Sequence, residues 1–267
     1  MHFNQEVSIF KHLFAFIHGK GKRIADPTGI YHDLQIPGSG KGPDVNGMFM
    51  AFQRLKAAEV SLSTCLDIGA SDGRWTERFL ASFPGCKSHL FEAKKIHTPA
   101  LQKLAASDKR VSFIQAAASK EAGKIRFYNP PGRPFGGRAS FCDSSNWGTF
   151  SKDVEEVDAT SIDNEVKNKK LTGPFLIKVD THGHELAILE GAEETLKETN
   201  CLILELYNLQ IGPDALLFWE MCAWLSEKGF RCWDIFDLVR RESDQILWQM
   251  DAVFLPASHP AFSRVSS

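Results

Sequence analysis

The sequence predicts an α/β fold: a Rossmann-like, doubly wound, mostly parallel sheet with an antiparallel last strand. Three observations carry this. Short apolar runs of strand length alternate with amphipathic helical segments along most of the chain. Two of those runs carry an acid at their end, beside a glycine turn that leads into a helix. The last two runs are joined by a charged turn, which suits an antiparallel pair.

In chain order, Met48, Phe52 and Leu55 share one helical face, Cys65–Ile68 is an apolar strand, and Trp75, Phe79 and Leu80 mark a helix that stops before Pro84-Gly85. His89–Phe91 is the second strand. Thr98-Pro99 opens a helix, with Thr98 as N-cap and Pro99 at the first helical position. Val111–Ile114 is a third strand and Lys124–Tyr128 a short additional one. Asn129–Gly137 then breaks all periodicity and opens a long loop, and regular structure is expected to resume at Phe175–Val179, a run typical of a strand buried on both faces. Leu186, Leu189, Ala192 and Leu196 form the next helical stripe, followed by a strand at Cys201–Leu206. Asp214 is expected to cap a helix carrying Leu217, Met221 and Leu225 that Gly229 stops, before the pair Arg231–Leu238 and Gln249–Leu255.

This pattern divides the chain into residues 1–46, an N-terminal helical extension with a Gly/Pro-rich linker, and residues 47–267, one domain with a loop insertion at 129–150. The extension's stripe is Phe3, Val7, Phe10, Phe14 and Ile17, interrupted by Glu6, Lys11 and His12, which argues against a signal peptide. In the linker, Gly38-Ser39-Gly40-Lys41 imitates a phosphate loop. It fails because Gln35 stands where a glycine is required and Gly42 where Ser or Thr is required.

Composition narrows the function. Over 267 residues, 43% hydrophobic and 24% charged content excludes a disordered or fibrous chain. The balance of 31 Lys+Arg against 33 Asp+Glu, a net charge of −2, lacks the basic excess of a nucleic-acid or polybasic membrane binder. No apolar stretch approaches the roughly 20 residues of a membrane span. Six cysteines without any C-x-x-C spacing offer neither a zinc knuckle nor a thioredoxin-type motif, and are expected to be reduced, mostly buried thiols of a cytoplasmic protein.

The first chemical motif is Leu66-Asp67-Ile68-Gly69-Ala70-Ser71-Asp72-Gly73, an acid at the end of a buried strand and a glycine turn opening a helix. It is not G-x-G-x-x-G. An acid two residues before the first glycine suits a ligand with an ammonium group rather than a pyrophosphate, and S-adenosylmethionine has such a group. Glu92 ends the next strand, where α/β nucleotide sites hold ribose hydroxyls. Gly69-Ala70-Ser71-Asp72-Gly73 also satisfies the hydrolase pattern G-x-S-x-G, but it follows the first evident strand, and only His259 remains late in the chain to complete a triad.

The second constellation, Lys178-Val179-Asp180-Thr181-His182-Gly183-His184-Glu185, places two acids and two histidines around a glycine turn on the same sheet edge. Strand alternation puts Lys178 and Asp180 on one face, so Lys178 needs a carboxylate partner within the sheet, and Glu205 is the expected one.

With these motifs the sequence resembles the FkbM family of S-adenosylmethionine-dependent methyltransferases. The resemblance rests on Leu66-Asp67-Ile68-Gly69-Ala70 with Gly73, on Phe91-Glu92, on Ala116-Ala117-Ala118-Ser119 before Gly123, and on Ile177-Lys178-Val179-Asp180 through Gly183, Glu185, Leu189, Gly191 and Ala192. It implies a seven-stranded sheet with the last strand antiparallel, a methyltransferase domain over 47–267, and methyl transfer to a hydroxyl oxygen. By the same resemblance, Asp67, Gly69, Ala70, Ser71 and Gly73 line the cofactor's methionine portion, Glu92 holds its ribose, Ala117 lies near adenine and Asp180 sits by the methyl group. Ser71 stands where the family often has Asn, and Arg74-Trp75 where Tyr is common.

Transfer from a sulfonium requires chiefly alignment of the acceptor and removal of its proton. The candidate bases are His182, then Asp180, then His184, with Glu185 fixing the turn. The acceptor expected is a small molecule or glycan, and Arg133, Arg138 and Trp147 of the insertion are candidate contacts. No metal is expected. Two other readings are a metal-dependent enzyme with Asp180 and Glu205 (and Asn208) as ligands, and a non-catalytic nucleotide-binding scaffold.

Overall fold

A computed structural model describes residues 47–128, 138–140, 154–211, 215–241 and 243–263. The expected helix within residues 1–46, most of the 129–150 insertion, and the cap at Asp214 lie outside the described residues.

Most strands of the main sheet are apolar and buried on both faces, as a parallel sheet covered by helices requires, whereas the two edge strands are partly exposed. The strands are β1 (Thr64–Ile68), β2 (Lys87–Phe91), β3 (Val111–Ile114), β8 (Phe175–Val179), β9 (Thr199–Tyr207), β10 (Phe230–Arg240) and β11 (Leu247–Pro256), in the spatial order β10-β11-β9-β8-β1-β2-β3. All neighbours from β3 to β9 run parallel, and β11 is antiparallel to both β9 and β10. The expected seven-stranded, mostly parallel sheet is therefore present. The strand order reverses between β1 and β8, which makes their carboxyl ends the crevice of the fold.

Helices α1 (Gly47–Ala57), α2 (Arg74–Ser82) and α3 (Thr98–Ser107) cover one face through Phe52, Leu55, Phe79, Leu80, Leu101 and Leu104. Helices α4 (Ile162–Lys169), α5 (Glu185–Glu190), α6 (Glu193–Leu196) and α7 (Phe218–Glu227) cover the other through Ile162, Ile188, Leu189, Leu196, Met221 and Leu225. No helix among the described residues is long and apolar enough to cross a membrane.

The sequence reading missed a second sheet, β4-β7-β5-β6, made of β4 (Ala117–Ala118), β5 (Gly123–Tyr128), β6 (Arg138–Ser140) and β7 (Val154–Thr160). Regular structure thus resumes at Val154 rather than Phe175, and the insertion contains a strand. The reason is compositional: β7 carries only Val157 and Ala159 into the small cluster with Ala117, Ile125 and Phe127, so its apolar alternation is half hidden by acids. Helix α4 was missed because it is mostly polar; its start is set by Ser161, whose Oγ accepts from Asn164 N at 3.1 Å. Helix α7 begins at Phe218, later than an Asp214 cap would place it, with Glu220 accepting from the Leu217 N–H at 2.8 Å.

Close approach explains one glycine of the long string. A Cβ at Gly191 would lie 2.2 Å from the Ser119 carbonyl oxygen. Gly191→Ala should therefore destabilise the fold by about 1–3 kcal/mol through overpacking, read as a lower urea midpoint with an unchanged slope.

Candidate active site

The crevice is closed at its base by backbone. Asp180 N donates to Ile68 O at 3.1 Å, joining the turn after β8 to the end of β1. Gly69 is in the left-handed region (φ 78°), and a Cβ there would lie 2.2 Å from Asp180 O, so only glycine lets the two turns meet. Gly73 (φ 86°) faces Leu101 and Leu104 of α3, the nearest atom 2.6 Å from a Cβ position, so a side chain there would collide with that helix.

On this floor stands a buried ion-pair chain. Asp67 and Lys178 are in register on β1 and β8. Lys178 Nζ lies 3.2 Å from Asp67 Oδ1, 3.4 Å from Asp180 Oδ2 and 3.2 Å from Gly69 O. Thr76 Oγ1 donates to Asp67 Oδ2 at 2.6 Å, and the Trp75 ring lies 5.6 Å from the ammonium. Burial works to lower the Lys178 pKa, but Asp67 and then Asp180 outweigh it and hold the ammonium above its ordinary range. One expectation is corrected here. The partner of Lys178 is Asp67, not Glu205, because Lys178 is level with Ile203 on β9 and Glu205 lies two residues further along. Asp67, expected to line the cofactor's methionine portion, is 0% exposed and its carboxylate is engaged by Lys178 and Thr76.

The turn after β8 presents His182 from a left-handed backbone (φ 59°). Its Nδ1 lies 2.8 Å from Glu205 Oε1 and 2.8 Å from Tyr207 Oη, and 3.9 Å from Asp180 Oδ1. Tyr207 Oη donates a short hydrogen bond to Glu205 Oε1. Glu205 is buried, whereas the His182 and Asp180 side chains are 34% and 38% exposed. Burial lowers the His182 pKa, but the charge and hydrogen bond of Glu205, with help from Asp180, raise it to about 9. Glu185 accepts from Gly183 N at 2.7 Å and fixes the turn, as expected; burial raises its pKa. His184, the third candidate base, is buried, with Nε2 3.1 Å from Ser119 Oγ.

At the end of β2, Glu92 is buried and accepts from Ser71 N and Lys94 N, both at 2.7 Å. Burial raises its pKa against those two bonds. Ala70 is buried, its N–H bonded to Phe91 O at 3.1 Å. Ala117 is buried in the second sheet's apolar cluster. Asp180, His182 and Glu205 also bring three potential metal-ligand atoms within 4.8 Å of one another. His182 Nδ1 and Glu205 Oε1 already share a hydrogen bond.

A family model for the methyltransferase FkbM domain matches residues 67–232, more than half of the 267-residue chain. The chain belongs to the FkbM methyltransferase family. No curated protein sequence matches it. Among solved structures, a methyltransferase FkbM from Methylobacillus flagellatus KT is 15% identical with a TM-score of 0.45, over 71% of this chain and 43% of that one. This chain thus spans less than half of that protein's length. The fibrillarin pre-rRNA processing protein of Methanococcus jannaschii is 14% identical (TM-score 0.45, 76% and 74% covered), and an rRNA methylase from Streptococcus thermophilus is 12% identical (TM-score 0.41, 80% and 99% covered).

The FkbM string of this chain now has a physical account. Lys178 and Asp180 build the ion-pair chain, Glu185 ties the turn, and Gly191 admits Ser119. Thr76 and Tyr207 were missed, although Tyr207 sits two residues after Glu205 and so shares its strand face. Lys178→Met should cost about 3–5 kcal/mol by stranding the Asp67 carboxylate. Adding Asp67→Leu should recover much of that loss, measured by denaturant unfolding of both variants.

Proposed function

We propose that this FkbM-family protein is an S-adenosylmethionine-dependent O-methyltransferase acting on a hydroxyl of a small-molecule or glycan acceptor. The observation that carries this reading is the Glu205–His182 dyad, set beside Asp180 at the sheet's switch point. The cofactor suits the residues present. Asp67, Asp180 and Glu205 gather three carboxylates around Lys178 and His182, a set that suits a cationic ligand. Glu92 has two lone-pair sites taken by backbone N–H groups and about two left for ribose hydroxyls. Ser71 and Ala70 would border the methionine portion, with Asp67 supporting them through Lys178 rather than by contact. Ala117 is proposed beside adenine on the resemblance alone.

S-adenosylmethionine supplies a methyl group on a sulfonium, and the protein must orient the acceptor and accept its proton. In the neutral tautomer, His182 Nδ1–H donates to Glu205 Oε1, which leaves Nε2 unprotonated as the base. Nε2 makes no hydrogen bond among the described residues, and the ring is partly exposed, so the acceptor hydroxyl can reach it. The buried carboxylate then stabilises the imidazolium that forms. Asp180, more exposed than Glu205 and held by Lys178, is placed to accept a hydrogen bond from the acceptor.

The pH dependence follows from the base. His182 works deprotonated, so turnover should climb with pH until about 9 and then level. Glu205→Gln removes the charge that favours the imidazolium, so the rising limb should move to lower pH while the plateau falls about 10-fold or more. His182→Ala should lose about 10²–10⁴-fold in turnover with little change in cofactor affinity. Calorimetric titration with S-adenosylmethionine tests the cofactor itself, with Glu92→Ala expected to weaken binding about 10-fold or more. Absence of binding by the parent protein would overturn the reading. Turnover that EDTA abolishes and Mg²⁺ restores would replace the dyad with a metal centre.

A further inference from the structure

The polar layer of the crevice continues past His182. Along the face of the main sheet covered by α1, α2 and α3, strand β11 carries Leu255 and Val253, then Asp251 and Gln249. Leu255 and Val253 are sealed, at 0% exposed, whereas Asp251 and Gln249 are half-buried. The change from apolar to polar falls at the level of the dyad: Asp251 is in register with Glu205, and Gln249 with Tyr207. Directly opposed residues of an antiparallel pair share a face, with Cβ atoms about 4.5–5.5 Å apart. A carboxylate therefore stands across from the carboxylate that holds His182, and a carboxamide across from the hydroxyl that holds it. Beyond them, on edge strand β10, the same two levels are filled by Phe236 and Val239, both buried. The polar layer thus ends at β11, against an apolar wall.

We propose that Asp251 and Gln249 bind the methyl acceptor, and that this acceptor carries a second hydroxyl beside the one methylated, as a sugar ring does. The proposal rests on the methyl-transfer reading above. The reacting hydroxyl gives its proton to His182, whose ring is held by β9, and neighbouring strands lie about 4.8 Å apart. One sugar ring spans that gap, so a hydroxyl next to the reacting one reaches β11. A hydroxyl is donor and acceptor at once. The Asp251 carboxylate accepts from it, and the Gln249 carboxamide offers either an N–H or an oxygen to the next polar group of the ring. A carboxylate alone would serve an amine equally well; the carboxamide two residues along the same face favours a polyol. Both residues bind and orient, and proton removal stays with His182.

The test uses the full-length protein with methyl glucopyranoside, methyl mannopyranoside and a cyclohexanediol with adjacent hydroxyls as probes, against cyclohexanol and phenol. Saturation-transfer NMR reads binding of each probe without cofactor, and transfer of labelled methyl from S-adenosylmethionine reads turnover. At least one polyol should bind and be methylated, with kcat/KM about 10²-fold or more above that of either monohydroxylic compound. Asp251→Asn and Gln249→Leu should each raise its KM about 10-fold or more and weaken its binding by NMR, with kcat falling far less. Cofactor affinity by calorimetry should match the parent's, which shows that both variants fold. Equal use of cyclohexanol or phenol would overturn the assignment, as would polyol binding that neither substitution weakens. So would failure of every polyol to bind. Polyol binding that both substitutions weaken, in a protein that takes up no S-adenosylmethionine, would uphold the polyol site and remove the methyl-transfer reading.

Discussion

The ammonium of Lys178 is the point on which the site depends. A lysine in the middle of a parallel sheet is costly unless carboxylates meet it. Here Asp67 meets it from the adjoining strand and Asp180 from two residues further along its own. Because Asp67 is also held by Thr76 of α2, one charge joins β1, β8 and the helix that follows β1. The turn carrying Asp180 is thereby set against the turn carrying Gly69 before any ligand arrives, which is the preorganisation a transfer reaction needs. Breaking such a buried pair costs more than its net contribution to stability, so it acts as a constraint on geometry more than a source of free energy.

A second layer of the same logic governs His182. Its left-handed backbone is uncommon for a residue with a side chain, and the surrounding structure holds it there through Glu185 on Gly183 N and Glu205 on the ring. Glu205 is in turn held by Tyr207, its neighbour on the same strand face. Asp67, Lys178 and Glu205 lie on the face covered by α1, α2 and α3, since Ile68, Val179 and Leu204 belong to the opposite cluster. The opposite side of the turn is occupied: the nearest atoms to a Cβ at Gly183 are Ala215 and Ile211, at 3.4 Å.

Much of this was legible in the residues. The apolar runs located every strand of the main sheet because burial on both faces leaves an uninterrupted signal. The acids and glycines of the two turns located the crevice. What could not be read was how the charges partner across strands, since register decides that: a shift of two residues separates the expected Lys178–Glu205 pair from the Lys178–Asp67 pair that forms. His184 was indistinguishable from His182 in sequence, and only the direction of each ring tells them apart. The second sheet escaped because its strands bury too few side chains to show a period. The cysteines, expected to be mostly buried, split into three sealed thiols and two half-buried ones among the described residues, a distinction that belongs to tertiary contact alone.

Helix α1 gives the site a reach that its motifs do not suggest. The Phe52 ring meets Trp75 edge-on at 5.6 Å, Trp75 stacks on Phe79, and Trp75 lies over Lys178. Arg54, one half-turn along, is paired with Asp234 of the far edge strand. Residue 52 lies before the segment that the family shares, yet a single indole separates it from the ammonium at the centre of the site. Sequence drift in this helix can therefore retune the chemistry without touching a family motif, and a chimera that exchanges α1 between relatives would exchange part of the electrostatic setting as well.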